Sequence, residues 1–233
     1  MRQHLHQGSA WLTSSPGLPP HAGQPVLTAG AQLSQARGLV VLAHGRGATA
    51  SDILMLAPEF KVDELLWVAP QASDRMWYPF SFLSPLQANE PGLLSALSVL
   101  DGIVHEAEHR GIPAERIFLM GFSQGACLAL EYAARHARRF GGVVGFSGGL
   151  IGPPKTPRDY TGTFSATPVF LGCSDRDPHI PAVRVRETAD VLTRMGASVD
   201  MRLYENMAHT IVDEELSVAR GIIEGVLNAP AKH

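Results

Sequence analysis

The feature that most narrows what this chain can fold into is a recurring short run that is apolar throughout. Leu39–Ala43 (LVVLA), Leu65–Ala69 (LLWVA), Gly142–Phe146 (GVVGF) and Pro168–Leu171 (PVFL) are runs of this kind, and Arg116–Met120 (RIFLM) is apolar after its first residue. A strand with one face in water alternates polar and apolar residues. A strand apolar at every position has both faces covered, as in a parallel sheet under helices. Val26–Thr28 reads as an edge strand and Val199–Tyr204 (VDMRLY) as the last strand.

Helical patterns separate these runs. Ser51 and Asp52 are candidate caps for a helix through Phe60. Pro91–Arg110 carries Leu93, Leu97, Leu100, Val104 and Ala107 at helical spacing, with Gly111 and Pro113 as its stop. Residues 124–139, 181–195 and 211–227 read as three more helices. Strands alternating with helices of this length predict an α/β fold: a doubly wound, mostly parallel sheet with helices on both faces. With 233 residues, 45% hydrophobic and 18% charged, the chain is expected to form one domain over 1–233. Residues 1–36 form an N-terminal segment of unclear role, in which His4 and His6 are read as part of a surface terminus rather than a metal site.

One motif carries chemistry. Gly121-Phe122-Ser123-Gln124-Gly125 fits G-x-S-x-G and falls where the RIFLM strand passes into a helical pattern, which is the context the motif requires. The turn is so sharp that the residues two before and two after the serine must be small, and it leaves the serine hydroxyl exposed on a strained backbone. A serine hydroxyl needs a base to attack a carbonyl. In such sheets the acid and then the histidine follow the serine in chain order, each on a loop after a later strand. His209 lies in the loop after the last strand. The loop after PVFL offers Asp175 and Asp177, either of which has the chemistry to orient the imidazole. Two backbone donors are needed for the developing oxyanion. The N–H of Gln124 follows the nucleophile. The N–H of Arg46 stands in the glycine-bearing loop His44-Gly45-Arg46-Gly47, where His44 reads as a structural anchor. The aromatic loop Trp77, Tyr78, Phe80 and Phe82 is the candidate substrate wall, and Arg46 with Arg75 is a candidate attraction for an anionic substrate.

With these residues in hand, the chain resembles the phospholipase/carboxylesterase family of α/β hydrolases, which includes bacterial carboxylesterases and acyl-protein thioesterases. The landmarks are AHGRGA (43–48), APQA (69–72), MWYPF (76–80), LMGFSQGA (119–126), GCSDRDPHIP (172–181) and LYENMAHTI (203–211). The resemblance implies a single-domain α/β-hydrolase fold, Asp177 as the acid because it precedes proline, and Arg46 and Gln124 as oxyanion donors. Two departures stand out: Arg46 replaces the leucine common in the thioesterases, and the segment after Trp77 differs from theirs. Both favour a carboxylesterase for small esters over an acyl-protein thioesterase or lysophospholipase. A serine peptidase or acyltransferase using the same triad, and a non-catalytic binding protein keeping the fold, are the readings further off.

Several classes are disfavoured. The formal net charge of −3 and the lack of a basic block give no reason to expect nucleic acid. No apolar run reaches the ~20 residues of a spanning helix, and the N-terminus lacks a secretory stretch, so a cytoplasmic location is expected. His105-Glu106-Ala107-Glu108-His109 matches H-E-x-x-H, but on the polar face of its helix, so neither a metal nor a cofactor is expected. Cys127 and Cys173 read as small buried hydrophobes, and Met207 as a residue near the site or in packing. The expected partner is a small-molecule ester, and a homodimer is allowed.

Overall fold

The computed structural model describes residues 11–229. His4 and His6 lie outside the described residues. In chain order the main elements are β1 (Val26–Gly30), β2 (Gly38–Ala43), α1 (Ala50–Leu54), β3 (Leu65–Pro70), α2 (Gly92–His109), β4 (Ile117–Phe122), α3 (Gln124–Arg135), β5 (Gly142–Phe146), β6 (Pro168–Ser174), α4 (Ala182–Arg194), β7 (Ser198–Tyr204) and α5 (Asp213–Leu227).

The strands form one seven-stranded sheet in the order β1-β3-β2-β4-β5-β6-β7. β1 runs antiparallel to β3, and every other neighbouring pair is parallel. The uniform apolarity of β2 has a direct cause. Leu39 and Val41 enter the core under α2, α3 and α4, while Val40 and Leu42 enter the core under α1 and α5. All four are fully or almost fully buried. Burying such a side chain is worth ~1.5–3 kcal/mol, so polar residues are excluded from both faces. The register sets the site: Ala43 stands beside Gly121 and Phe122 beside Phe146, so the carboxyl ends of β2, β4 and β5 finish level with one another.

Several boundaries differ from the sequence expectation. α1 is capped by Thr49, not by Ser51 or Asp52. The Thr49 hydroxyl accepts from the Asp52 N–H (3.2 Å), and the Asp52 carboxylate accepts from the Thr49 N–H (2.8 Å). The helix stops at Leu54 because Pro58 has no N–H to return to it, and the chain continues as a short 3₁₀ turn, Ala57–Phe60. α3 ends at Arg135 rather than running to 139. Phe140 is fully buried and its N–H is held by Thr167 Oγ1 (2.9 Å), which draws the chain off the helix toward β5. β4 continues through Gly121 and Phe122, and β6 continues to Ser174, closer to the site than the apolar runs alone suggest.

Candidate active site

Ser123 sits between β4 and α3 with φ 55° and ψ −117°, a conformation that costs on the order of 1–3 kcal/mol in a non-glycine residue. The packing that enforces it explains the two glycines. A Cβ at Gly121 would lie 2.4 Å from the Gly125 carbonyl, and a Cβ at Gly125 would lie 2.1 Å from the Ala43 oxygen. The Ser123 N–H is held by the Phe146 carbonyl (2.9 Å), so the elbow is pinned to β5.

The loop after β7 brings His209 to this serine. His209 Nε2 is 2.9 Å from Ser123 Oγ, and Nδ1 is 2.6 Å from Asp177 Oδ2. A carboxylate only accepts, so Nδ1 carries the proton and Nε2 is free to accept from the hydroxyl. The His209 ring also packs against Phe122 and, edge to face, against His179, at centroid distances of 4.9 and 4.8 Å.

The structure separates the two aspartates that chemistry left equivalent. The Asp177 side chain is fully buried and faces His209, and its Oδ1 accepts from the N–H groups of His179 (2.8 Å) and Ile180 (2.9 Å). Burial on its own would raise its pKa, but the imidazole and these two N–H donors outweigh it and hold the carboxyl below the usual range. Cys173 lies under it, with Sγ 3.8 Å from both Asp177 Oδ2 and the Ile180 carbonyl. Burial, then the Asp177 charge, push that thiol up to about 12, so it remains an S–H donor. Asp175 instead accepts from the Asn206 N–H (2.9 Å) and fixes the base of the loop that carries His209.

The second wall is the loop after β2. A Cβ at Gly45 would stand 3.5 Å from Ser123 Cβ, so this backbone runs directly beside the serine. Among the described residues no protein acceptor takes the N–H of Arg46 or of Gln124, and both residues line the cleft at Ser123. His44 is fully buried. Its Nε2 accepts from the Ala72 N–H (3.1 Å), and its Nδ1 therefore donates to the Gly45 carbonyl (2.8 Å). Burial lowers its pKa, in keeping with a neutral anchor.

The cleft has a volume of about 460 Å³, and no acidic residue among the described ones lines it. Tyr78, Phe80 and Phe82 contribute to its walls as expected, together with Cys127, His179 and Ile180, which the sequence reading did not assign to it. Trp77 does not line it, which corrects the expectation. Its ring is wholly buried between His21 and His44, and its indole N–H donates to the His44 carbonyl (2.9 Å). Met207 is not a lining residue either.

The arginine expectation changes too. The Arg46 guanidinium donates to the carbonyls of Tyr78 (2.9 Å), Pro79 (2.8 Å) and Phe80 (2.6 Å), so it staples the aromatic loop while the residue stays exposed at the cleft. Arg75 does not line the cleft, and its carbonyl accepts from the Gly47 N–H.

A feature that no sequence pattern signalled is the Gln124 side chain. Its Oε1 accepts from the Trp77 N–H (2.9 Å) and its Nε2 donates to the Tyr78 carbonyl (2.8 Å), which locks the aromatic loop to the elbow. A polar side chain at the inward-facing start of α3 is its only trace in the sequence. Elsewhere, His105 is two-thirds exposed and faces Asp101 and Glu108, and among the described residues no three His, Cys, Asp or Glu side chains are grouped to hold a metal. Cys127 and Cys173 are free and buried. No described helix is long and apolar enough to cross a membrane.

A serine on a strand-to-helix elbow, within reach of a carboxylate-oriented histidine at the carboxyl edge of this sheet, defines the class: an α/β hydrolase. The model of the Phospholipase/Carboxylesterase family matches residues 28–227, and the chain belongs to that family, whose members are esterases and thioesterases. The chain is 30% identical over 207 residues to acyl-protein thioesterase 1 of Gibberella zeae, spanning 78% of this chain and 88% of that protein. It is 25% identical over 225 residues to acyl-protein thioesterase 1 of Saccharomyces cerevisiae, spanning 87% and 99%. Among solved structures, a phospholipase/carboxylesterase from Dyadobacter fermentans is 43% identical with a TM-score of 0.83, covering 92% of this chain and 99% of that one. Esterase PE8 is 25% identical with a TM-score of 0.70, covering 91% and 98%.

Proposed function

We propose that the protein is a serine carboxylesterase that hydrolyses small carboxylic esters through an acyl-enzyme. The observation that carries this reading is the continuous line from Ser123 Oγ through both nitrogens of His209 to the buried Asp177, beside two N–H groups with no acceptor of their own among the described residues.

On this reading Ser123 Oγ attacks the ester carbonyl as His209 Nε2 takes its proton. The carbonyl oxygen gains negative charge, which the N–H groups of Arg46 and Gln124 stabilise. The imidazolium then gives its proton to the leaving alcohol, and the C–O bond breaks to leave an acyl-Ser123. Water, deprotonated by His209, attacks that acyl group, and the carboxylic acid departs as Ser123 regains its proton. Asp177 keeps its charge throughout, holding the tautomer and stabilising the imidazolium. Tyr78 and Phe82 supply apolar wall for the acyl or alcohol part. A phospholipase/carboxylesterase at 43% identity supports the oxyester reading.

A second reading is a thioesterase acting on acylated proteins, and fungal acyl-protein thioesterases at 24–30% identity favour it. The same triad would serve, with a thiol as leaving group.

The deciding experiment joins covalent labelling with a substrate panel. A fluorophosphonate probe is expected to label the protein and to spare Ser123→Ala. That variant is expected to lose roughly 10⁴-fold or more of its rate on short-chain aryl esters. A folded protein that resists the probe favours a binding protein instead. Faster turnover of long-chain thioesters than of short oxyesters favours the second reading.

A further inference from the structure

The family match begins at residue 28. Ahead of it, residues 11–25 cross α2 as a strap. The Leu18 N–H donates to Ser98 Oγ (2.9 Å), and Ser95 Oγ accepts from the His21 N–H (3.0 Å) while donating to the Leu18 carbonyl (2.6 Å). A Cβ on Gly102 would fall 2.6 Å from Pro16 Cγ, so the strap lies directly on the helix. This anchoring delivers His21, which is 1% exposed, to the back of the aromatic loop.

Both ring nitrogens of His21 are used. Nδ1 accepts from the Ser73 N–H (3.0 Å), so Nε2 carries the proton and donates to the Trp77 carbonyl (3.0 Å). Its ring meets the Trp77 ring edge to face at 5.4 Å. Trp77 is in turn tied to the elbow and to the loop after β2. Its backbone N–H is held by the Gln124 side chain, and its indole N–H by the carbonyl of His44, two residues before Arg46. Trp77 thus has three polar supports, at its amide, carbonyl and indole, and the strap supplies one of them.

We propose that His21 is a positioning residue of this site: through Trp77 it holds the backbone N–H groups of Gln124 and Arg46 in register with Ser123. The proposal rests on the esterase reading above. It gives residues 11–25 a role in turnover, because these N–H groups meet charge only as the transition state forms. A donor that drifts therefore lowers kcat and leaves ground-state binding largely intact. Removing a donor outright costs about 10²–10³-fold, and a displaced donor costs less.

The test uses the full chain and 4-nitrophenyl acetate. His21→Phe keeps the ring volume and the contact with Trp77 but removes both polar atoms. It is expected to lower kcat about tenfold or more while KM stays within about threefold. His21→Gln offers one donor and one acceptor at similar spacing and is expected to restore most of kcat. Ser95→Ala loosens the strap without touching the ring and is expected to give a smaller loss of the same kind. If His21→Phe does not fold, Ser95→Ala decides.

Three results overturn the positioning role: kcat unchanged in the folded Phe variant or in the deciding Ala variant, a loss carried entirely by KM, or a Gln variant no better than Phe. The esterase reading fails separately. Activity surviving Ser123→Ala sinks that reading, whereas an inactive Ser123→Ala beside an unimpaired His21→Phe overturns the role of His21 alone.

Discussion

Replacing Glu215 by glutamine should change how the stability of this protein depends on pH. Glu215 stands at the third position of α5, just past the loop that carries His209, and is wholly buried. Its Oε2 accepts from the Val212 N–H (2.9 Å), but its Oε1 has no partner among the described residues. Burial, opposed by that N–H and assisted by the charge of Glu214, pushes its pKa from an ordinary 4.5 up to about 7. A raised carboxyl pKa means that the folded state prefers the neutral form. This stabilisation is fully present below pH 4.5 and is lost as pH rises through about 7. At roughly 1.4 kcal/mol per tenfold change in proton affinity, the loss is on the order of 3 kcal/mol. Glutamine keeps an acceptor for Val212 and never ionises, although its amide N–H₂ lies where no acceptor is found, at about 1–3 kcal/mol. Thermal unfolding of the two proteins from pH 5 to pH 8.5 is therefore expected to converge or cross. The wild type should be the more stable at pH 5 and should have lost its advantage by about pH 7, with no further change above it. At about 2–4 °C per kcal/mol for a chain of this size, the relative shift is roughly 6–12 °C. Parallel curves would refute the reasoning, because they would mean that Glu215 binds its proton equally in both states.

Three further outcomes follow from the site. Asp177→Asn keeps the shape but removes the charge that selects the His209 tautomer, and kcat on an aryl ester is expected to fall about 10³–10⁴-fold with the fold intact by circular dichroism. Gly125→Ala drives a Cβ to 2.1 Å from the Ala43 oxygen, so destabilisation of about 3 kcal/mol or more is expected in urea unfolding, together with loss of probe labelling at Ser123. Arg46→Leu frees three loop carbonyls, so KM is expected to rise about tenfold for neutral and anionic esters alike; a loss confined to anionic esters would restore the charge-selection reading.

The arrangement concentrates its rigidity behind the reacting groups. Asp177 is held by two backbone N–H groups and Trp77 by hydrogen bonds at its amide, carbonyl and indole, while Ser123 and His209 keep a single polar line to one another. A site supported in this way keeps donors aligned without spending the groups that must react.

Much of this was legible in the residues themselves, because each inference needed only local physics. A strand buried on both faces must be apolar at every position, as in LVVLA, and a turn as sharp as the one at Ser123 demands small residues two positions before and two after it. His209 was legible from chain order, since a doubly wound sheet delivers its late loops to the edge where the elbow stands. What depended on distant contacts was not legible. Asp175 and Asp177 carry the same chemistry two residues apart; the residues alone left them equivalent, the family resemblance singled out Asp177, and the spatial path of the loop turns Asp177 toward His209 and Asp175 toward Asn206. Trp77 and Tyr78 look equally suited to a substrate wall, yet His21 and His44 close over one of them and leave the other facing the cleft. The Arg46 side chain reads as a free charge until three carbonyls more than thirty residues away fold over it. Short-range sterics and burial are written into the order of residues, whereas a hydrogen-bond partner far along the chain exists only once the backbone has brought it there.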